Sequence, residues 1–215
     1  MTPSPGHIQL VDDSPDVRLH LADLLRKMGY SVEVFEGAEE FLASEPVSKP
    51  TVLLLDMRMP GLTGLELQSR LRAQGRRTPV VFISGQSRTQ EIIDAMKRGA
   101  IDFLCKPFTR EQLVEAVDRG LALDRQFAEE ALRLERVRQC FSALSPRERE
   151  MFFPILQGHT NRAIAAHTGV QAATVKKHRA AVLDKMMVAT VAELIRACEG
   201  LDLDALAGSA TPAVA

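Results

Sequence analysis

The chain has 215 residues and a formal net charge of −1, long enough for two modest domains with a core each. Its three cysteines, Cys105, Cys140 and Cys198, are too few and too scattered for a disulfide frame or a zinc site. No apolar run approaches membrane-spanning length and the amino terminus lacks a basic-then-apolar leader, so a reduced, cytoplasmic protein is expected.

The distribution of charge says more than the total. Residues 1–120 hold 15 Lys/Arg against 17 Asp/Glu, residues 121–141 hold 4 of each, and residues 142–199 hold 8 against 5. The basic excess falls in the C-terminal part, where a nucleic-acid partner would ask for it.

The first apolar stretch, Ile8-Gln9-Leu10-Val11, ends in Asp12-Asp13. Ser14 then stands as a helix cap with Pro15 at the first position, Val17, Leu21, Leu24, Leu25 and Met28 recur at helical spacing, and Gly29 closes the helix. Ser31–Phe35 reads as a short strand and Ala38–Ser44 as a helix. Val52-Leu53-Leu54-Leu55 is a strand buried on both faces, as in parallel sheets, and Asp56 ends it, before a Pro60-Gly61 turn. Leu62–Gln74 is helical, Val80–Ile83 is a second fully apolar strand, and Thr89–Arg98 is a helix ended by Gly99. Asp102–Leu104 is the last strand, and Thr109 with Gln112 forms a capping box for the helix that follows. Five strands alternating with five helices predict a doubly wound α/β domain with a five-stranded parallel sheet over residues 1–120.

Residues 121–141 lack Pro and Gly and predict a helical linker. Phe127, Ala131, Leu134 and Phe141 trace an apolar stripe, which serves either as a coiled-coil seam or as a face packed on one of the domains. Residues 142–203 read as an all-α domain of four helices. Ser145-Pro146-Arg147-Glu148 opens the first as a capping box and Gly158 ends it; Thr160 caps a short helix through Ala166. Gly169 supplies a turn, Ala172–Met186 is a longer basic helix, and Val191, Leu194, Ile195 and Cys198 mark the last. Helix, turn, then a second helix rich in Lys and Arg is the helix-turn-helix layout. Residues 204–215 read as a disordered tail.

Five positions converge on the carboxyl edge of the sheet: Asp12 and Asp13, Asp56, Ser84 and Lys106. That edge is where open α/β sheets bind ligands. Three carboxylates gathered there repel one another, so either one holds a proton or a divalent cation neutralises them; oxygen-only ligands favour Mg²⁺. With a hydroxyl and an ammonium on the opposite rim, the set is the equipment of an aspartyl nucleophile that accepts a phosphoryl group.

Val11-Asp12-Asp13, Leu55-Asp56-Met57-Arg58-Met59-Pro60-Gly61, Ile83-Ser84-Gly85 and Lys106-Pro107-Phe108 resemble the signature of a two-component receiver domain, which is CheY-like in fold. Leu144–Glu150, Thr160–Ala165 and Thr174–Arg179 resemble a LuxR-type DNA-binding domain. The combination is similar to response regulators of the FixJ/NarL family. The resemblance implies a phosphorylation-controlled transcription factor, not a turnover enzyme. Asp56 would be the phosphoacceptor; Asp12, Asp13, Asp56 and the Arg58 backbone carbonyl would hold Mg²⁺; Lys106 would pair with the phosphoryl group through a cis Lys106-Pro107 peptide. Ser84 and Phe103 would form the switch pair. A sensor histidine kinase would donate phosphate, and the phosphorylated protein would form a homodimer on promoter DNA, with RNA polymerase as a further candidate partner.

In the recognition helix, Lys176 and Lys177 are expected at base edges, with Thr174, His178, Arg179 and Lys185 at phosphates; His178 serves equally as a cap or a core residue. Pro154, inside the first effector helix, is expected to kink it, and Gln171-Ala172 offers a weak cap for the recognition helix. Two other classes remain open. A phosphohydrolase with Asp56 as nucleophile would want a second acid two residues on, where Arg58 stands. A regulator that works without phosphorylation would leave the pocket inert.

Overall fold

The computed structural model describes residues 6–47, 49–85, 88–203 and 206. The chain divides into two units, residues 1–128 and 129–215. In the first, β1 (His7–Val11), α1 (Pro15–Lys27), β2 (Ser31–Phe35), α2 (Ala38–Ala43) and β3 (Thr51–Asp56) are followed by α3 (Gly64–Ala73), β4 (Val80–Ser84), α4 (Thr89–Lys97) and β5 (Asp102–Cys105). All strand pairings are parallel and the order is β2-β1-β3-β4-β5. β1, β3 and β4 are buried along their whole length, as expected of strands covered by helices on both faces. One core, with Ile8, Leu54, Ile83 and Leu113, lies on one side of the sheet; Leu53, Leu55, Phe82 and Leu67 build the other.

Alternation along β3 therefore sends successive side chains into different cores, and the strand is locked in place from both faces. Its last residue, Asp56, inherits that rigidity. The loop after it is pinned by Met57 and Met59, both buried, so the carboxyl edge is fixed by apolar packing on each side of the acid.

Two local expectations change. Ser14 occupies the cap position of α1, but its side chain makes no cap bond; its amide instead donates to Asp12 Oδ1 at 2.9 Å, because that carboxylate folds back over the helix start. The helix begun at the Thr109–Gln112 box is α5 (Arg110–Ser142), uninterrupted through the segment expected to be a separate linker. Along it the expected stripe is split. Phe127 lies under the Arg77 guanidinium in the first unit, Ala131 is exposed, and Val137 and Phe141 enter the core of the second. The helix thus changes the partner it packs on, and no single face serves both.

The second unit continues with α6 (Pro146–Leu156), α7 (Asn161–Thr168), α8 (Ala172–Lys185) and α9 (Val191–Cys198) around Phe141, Phe152, Ile155, Ile164, Val175, Val182 and Leu194. Both bonds of the Ser145/Glu148 capping box form, and Thr160 caps α7. Gln171 gives α8 no side-chain cap. Pro154 sits three residues from the end of α6, and the carbonyl it denies a partner belongs to exposed Glu150, which water can satisfy. Leu206 joins this core; the rest of the segment 204–215 lies outside the described residues.

Candidate functional site: an acid–lysine pocket and a basic helix

Three strand ends build the pocket. Asp12 follows β1, Asp56 ends β3, and Lys106 follows β5, which pairs with β4 at Ser84↔Cys105. Lys106 Nζ donates to Asp12 Oδ2 at 3.1 Å and to Asp56 Oδ1 at 3.3 Å. Asp56 Oδ2 accepts the Arg58 amide at 2.7 Å. Asp12 is 1% exposed and Asp56 8%, so both carboxylates are close to fully desolvated and share one ammonium.

That pairing leaves the pocket with one uncompensated negative charge. Burial pushes the Asp56 carboxyl above its usual range, against the Arg58 amide and Lys106, which hold it down; Asp12 adds to the rise. The donors on offer are all oxygens, which suits a hard cation such as Mg²⁺, and the surplus negative charge gives that cation a reason to bind. The residues present fit it.

The expected cup of three carboxylates is a pair with an exposed third. Consecutive side chains leave an extended chain on opposite sides, so Asp12 turns inward and Asp13 lies exposed at the rim. Among the described residues, no three His, Cys, Asp or Glu side chains stand close enough to hold a metal ion by themselves. Arg58 is exposed, with its guanidinium 3.3 Å from Glu91.

Ser84, 3% exposed, closes β4. Its carbonyl accepts the Lys106 amide at 2.8 Å, and Lys106-Pro107 is cis, as the motif implied. Phe103 is half-buried and stacks on Phe82 with centroids 6.1 Å apart.

Two residues that the sequence pattern did not single out also hold the pocket. Arg18, buried in α1, donates to the Asp12 carbonyl at 2.6 Å and to Glu36 at 3.0 Å. Gly64 opens α3, and any Cβ there would collide with the Asp56 carbonyl oxygen and crowd Phe82. A glycine in the first turn of a helix, where its propensity is poor, was the available signal; nothing in the sequence marked Arg18.

In the second unit, α7 and α8 are joined by Gly169, Val170 and Gln171, with Gly169 left-handed at φ 69°. Val175 and Val182 bury one side of α8, leaving Lys176 and Lys177 exposed and Thr174 and His178 half-buried. Arg179 is drawn back to α7, donating to the His159 carbonyl at 2.9 Å and to Asn161 Oδ1 at 3.0 Å. Lys185 reaches Glu148 Oε2 at 2.6 Å. Two of the six candidate DNA contacts thus tie the helix-turn-helix together, and four face outward or partly so.

A parallel sheet with an acid–lysine pocket at its carboxyl edge, joined to a helix-turn-helix unit, defines a signal-receiving DNA-binding protein. Residues 8–118 match the response regulator receiver domain, and residues 142–198 match the bacterial regulatory proteins of the luxR family. The chain is 36% identical to response regulator protein TodT of Pseudomonas putida, over 90% of its own length and 86% of that protein. It is also 36% identical to transcriptional regulatory protein FixJ of Bradyrhizobium diazoefficiens, over 89% and 93%. Among solved structures, it is similar to response regulator StyR with a TM-score of 0.76 and 36% identity, covering 91% of this chain and 98% of that one. Full-length FixJ from B. japonicum matches with a TM-score of 0.56 and 31% identity over 95% and 98%.

The chain belongs to the FixJ/NarL family of two-component response regulators. It is a transcriptional regulator with a receiver domain and a LuxR-type DNA-binding domain. Among the described residues, no helix is long and apolar enough to cross a membrane.

Proposed function

We propose that Asp56 accepts a phosphoryl group from a sensor histidine kinase and that this modification pairs two copies of the chain on promoter DNA. The observation that carries the reading is the Asp12–Lys106–Asp56 bridge at the carboxyl edge of the sheet. An Asp56 carboxylate oxygen attacks phosphorus; the new O–P bond forms as the N–P bond of the kinase phosphohistidine breaks and its electron pair returns to the imidazole. Mg²⁺, held by Asp12, Asp13, Asp56 and the Arg58 carbonyl, supplies positive charge against the phosphoryl oxygens when bound. Lys106 gives up its bridging role and follows the new negative charge, and Ser84 offers a hydroxyl to it. Phe103 then repacks on Phe82.

The modification adds close to two negative charges and acts through the different stability it confers on two arrangements of the β4–β5 side of the sheet. Residues 1–120 serve as receiver, 121–141 as linker and 142–203 as effector, in a cytoplasmic protein that dephosphorylates itself slowly. In the effector, Lys176 and Lys177 read base edges and Thr174 and His178 meet phosphates. Arg179 and Lys185 hold the helix in place; RNA polymerase is a partner at the promoter.

Labelling with radioactive acetyl phosphate and Mg²⁺ tests the receiver half. The wild type takes up label and Asp56→Asn does not; equal labelling rejects Asp56 as acceptor. For the effector half, Lys176→Ala/Lys177→Ala loses affinity for promoter DNA, and unchanged binding in a gel-shift titration rejects that assignment.

A further inference from the structure

At the opposite, amino-terminal edge of the sheet, a cavity of about 360 Å³ opens beside the starts of β4 and β5. Arg72, Arg76, Arg77 and Arg98 stand on its wall, and among the described residues no Asp or Glu does. Four guanidinium groups around one hollow with no acid among them is an unusual concentration of unbalanced charge in a domain that carries slightly more acids than bases. Arginines gathered in this way are suited to planar, forked recognition of phosphate oxygens.

The arginines are also placed rather than splayed. Arg76 is half-buried over the Phe41 ring at 5.1 Å, Arg77 lies over Phe127 at 4.4 Å, and Arg98 is held by the Leu65 carbonyl and Ser69 Oγ. Burial alone lowers the Arg76 pKa, with no carboxylate acting on it.

A second, independent observation points to what the anion carries with it. Gln68, 2% exposed, lines the same cavity, and its Oε1 is buried without a hydrogen-bond partner. The amide cannot be turned to relieve this, because its nitrogen donates to the Ala95 and Arg98 carbonyls at 3.3 Å, and exchange would set oxygen against oxygen. A buried acceptor left this way calls for a donor. Phosphate at neutral pH supplies acceptors; a nucleobase with an amino group supplies the missing donor. Leu71, Pro79 and Leu123 offer the ring an apolar wall, and the volume lies at the small end of ligand pockets, suited to one mononucleotide.

We propose that this cavity binds a nucleoside phosphate, its phosphates on Arg72, Arg76 and Arg98 and its base amino group on Gln68 Oε1. The site would report nucleotide level to the receiver independently of Asp56.

The test uses the full-length protein in EDTA, which removes metal-dependent binding at Asp56, titrated with ADP, GDP and inorganic pyrophosphate and read by calorimetry and by amide chemical shifts. ADP or GDP binds saturably, moves the Gly75–Thr78, Gly99 and Phe127 amides, and binds at least tenfold tighter than pyrophosphate. Arg72→Gln/Arg76→Gln weakens it at least tenfold, with folding checked by circular dichroism, and Gln68→Leu removes the preference over pyrophosphate. No saturable binding, shifts confined to other residues, or pyrophosphate binding as tightly as the nucleotides overturns the proposal. Because the shift map is read on the wild type, the proposal stands or falls on that map even where a variant fails to fold.

Discussion

Glu148 ties the start of α6 to the end of α8. Its Oε2 accepts the Lys185 ammonium at 2.6 Å and the Ser145 amide at 2.7 Å, while its own amide donates to Ser145 Oγ at 3.4 Å. The Lys185 hydrogen bond first, then the Ser145 amide, hold its pKa down at about 2, against an ordinary 4.5. That difference corresponds to about 3 kcal/mol of preference for the charged form. The Lys185 side chain is 40% exposed, so solvent screening reduces the expected net contribution to about 1–2 kcal/mol. Glu148→Gln keeps the size and a cap-accepting oxygen but removes the charge, and should destabilise the second unit by that amount at neutral pH. Since the folded pKa is depressed, the contribution is complete above about pH 4.5 and fades as pH falls toward 2; the gap between wild type and variant narrows over that window. Tyr30, the single tyrosine, lies in the first unit, so its fluorescence follows that unit while far-ultraviolet circular dichroism follows both. Urea unfolding near pH 7 and near pH 3 with the two probes isolates the effect. Equal stability near pH 7, or a gap just as wide near pH 3, refutes the ionic account.

Other outcomes follow from the same geometry. Lys106→Met leaves two buried carboxylates facing each other without their shared ammonium; urea unfolding followed by Tyr30 should show a loss of about 2 kcal/mol, and millimolar Mg²⁺ should restore part of it. Gly64→Ala forces the start of α3 away from the Asp56 carbonyl, costing about 1–3 kcal/mol and slowing acetyl-phosphate labelling; an unchanged labelling rate would show that the close approach has no bearing on the acid. Phe152, fully buried with edge contacts to Phe141 and Phe153, should cost about 3–5 kcal/mol on change to Ala, lost from the circular dichroism transition and not from Tyr30 fluorescence. Gly169→Ala places a side chain at φ 69° and should cost about 1 kcal/mol, with a matching fall in DNA affinity.

The parts of this molecule legible in its sequence are those governed by local rules. The apolar runs at Val52–Leu55 and Val80–Ile83 announce doubly covered strands, and the Thr109, Ser145 and Thr160 caps mark helix starts that the structure reproduces. Asp56 and Lys106, 50 residues apart, meet as expected because each stands at the end of a strand in one parallel sheet. What stayed hidden depends on direction or on distant partners. Which of Asp12 and Asp13 turns inward is decided by how the chain leaves β1, not by residue type. The engagement of Lys185 by Glu148, 37 positions away, has no sequence period. The exchange of Ala131 for Val137 on the buried side of α5 reflects the partner that each stretch of the helix meets.

The way Lys106 is strung has a consequence for drift in this family. Its main chain hangs from the Ser84 carbonyl while its side chain grips both buried acids, so one residue closes a ring through three strand ends. A neighbour that tugs on either attachment loads the other. Changes at residue 84 or in the stretch beside Lys106 are therefore tolerated only in matched sets, much as two ends of a tether must be shortened together.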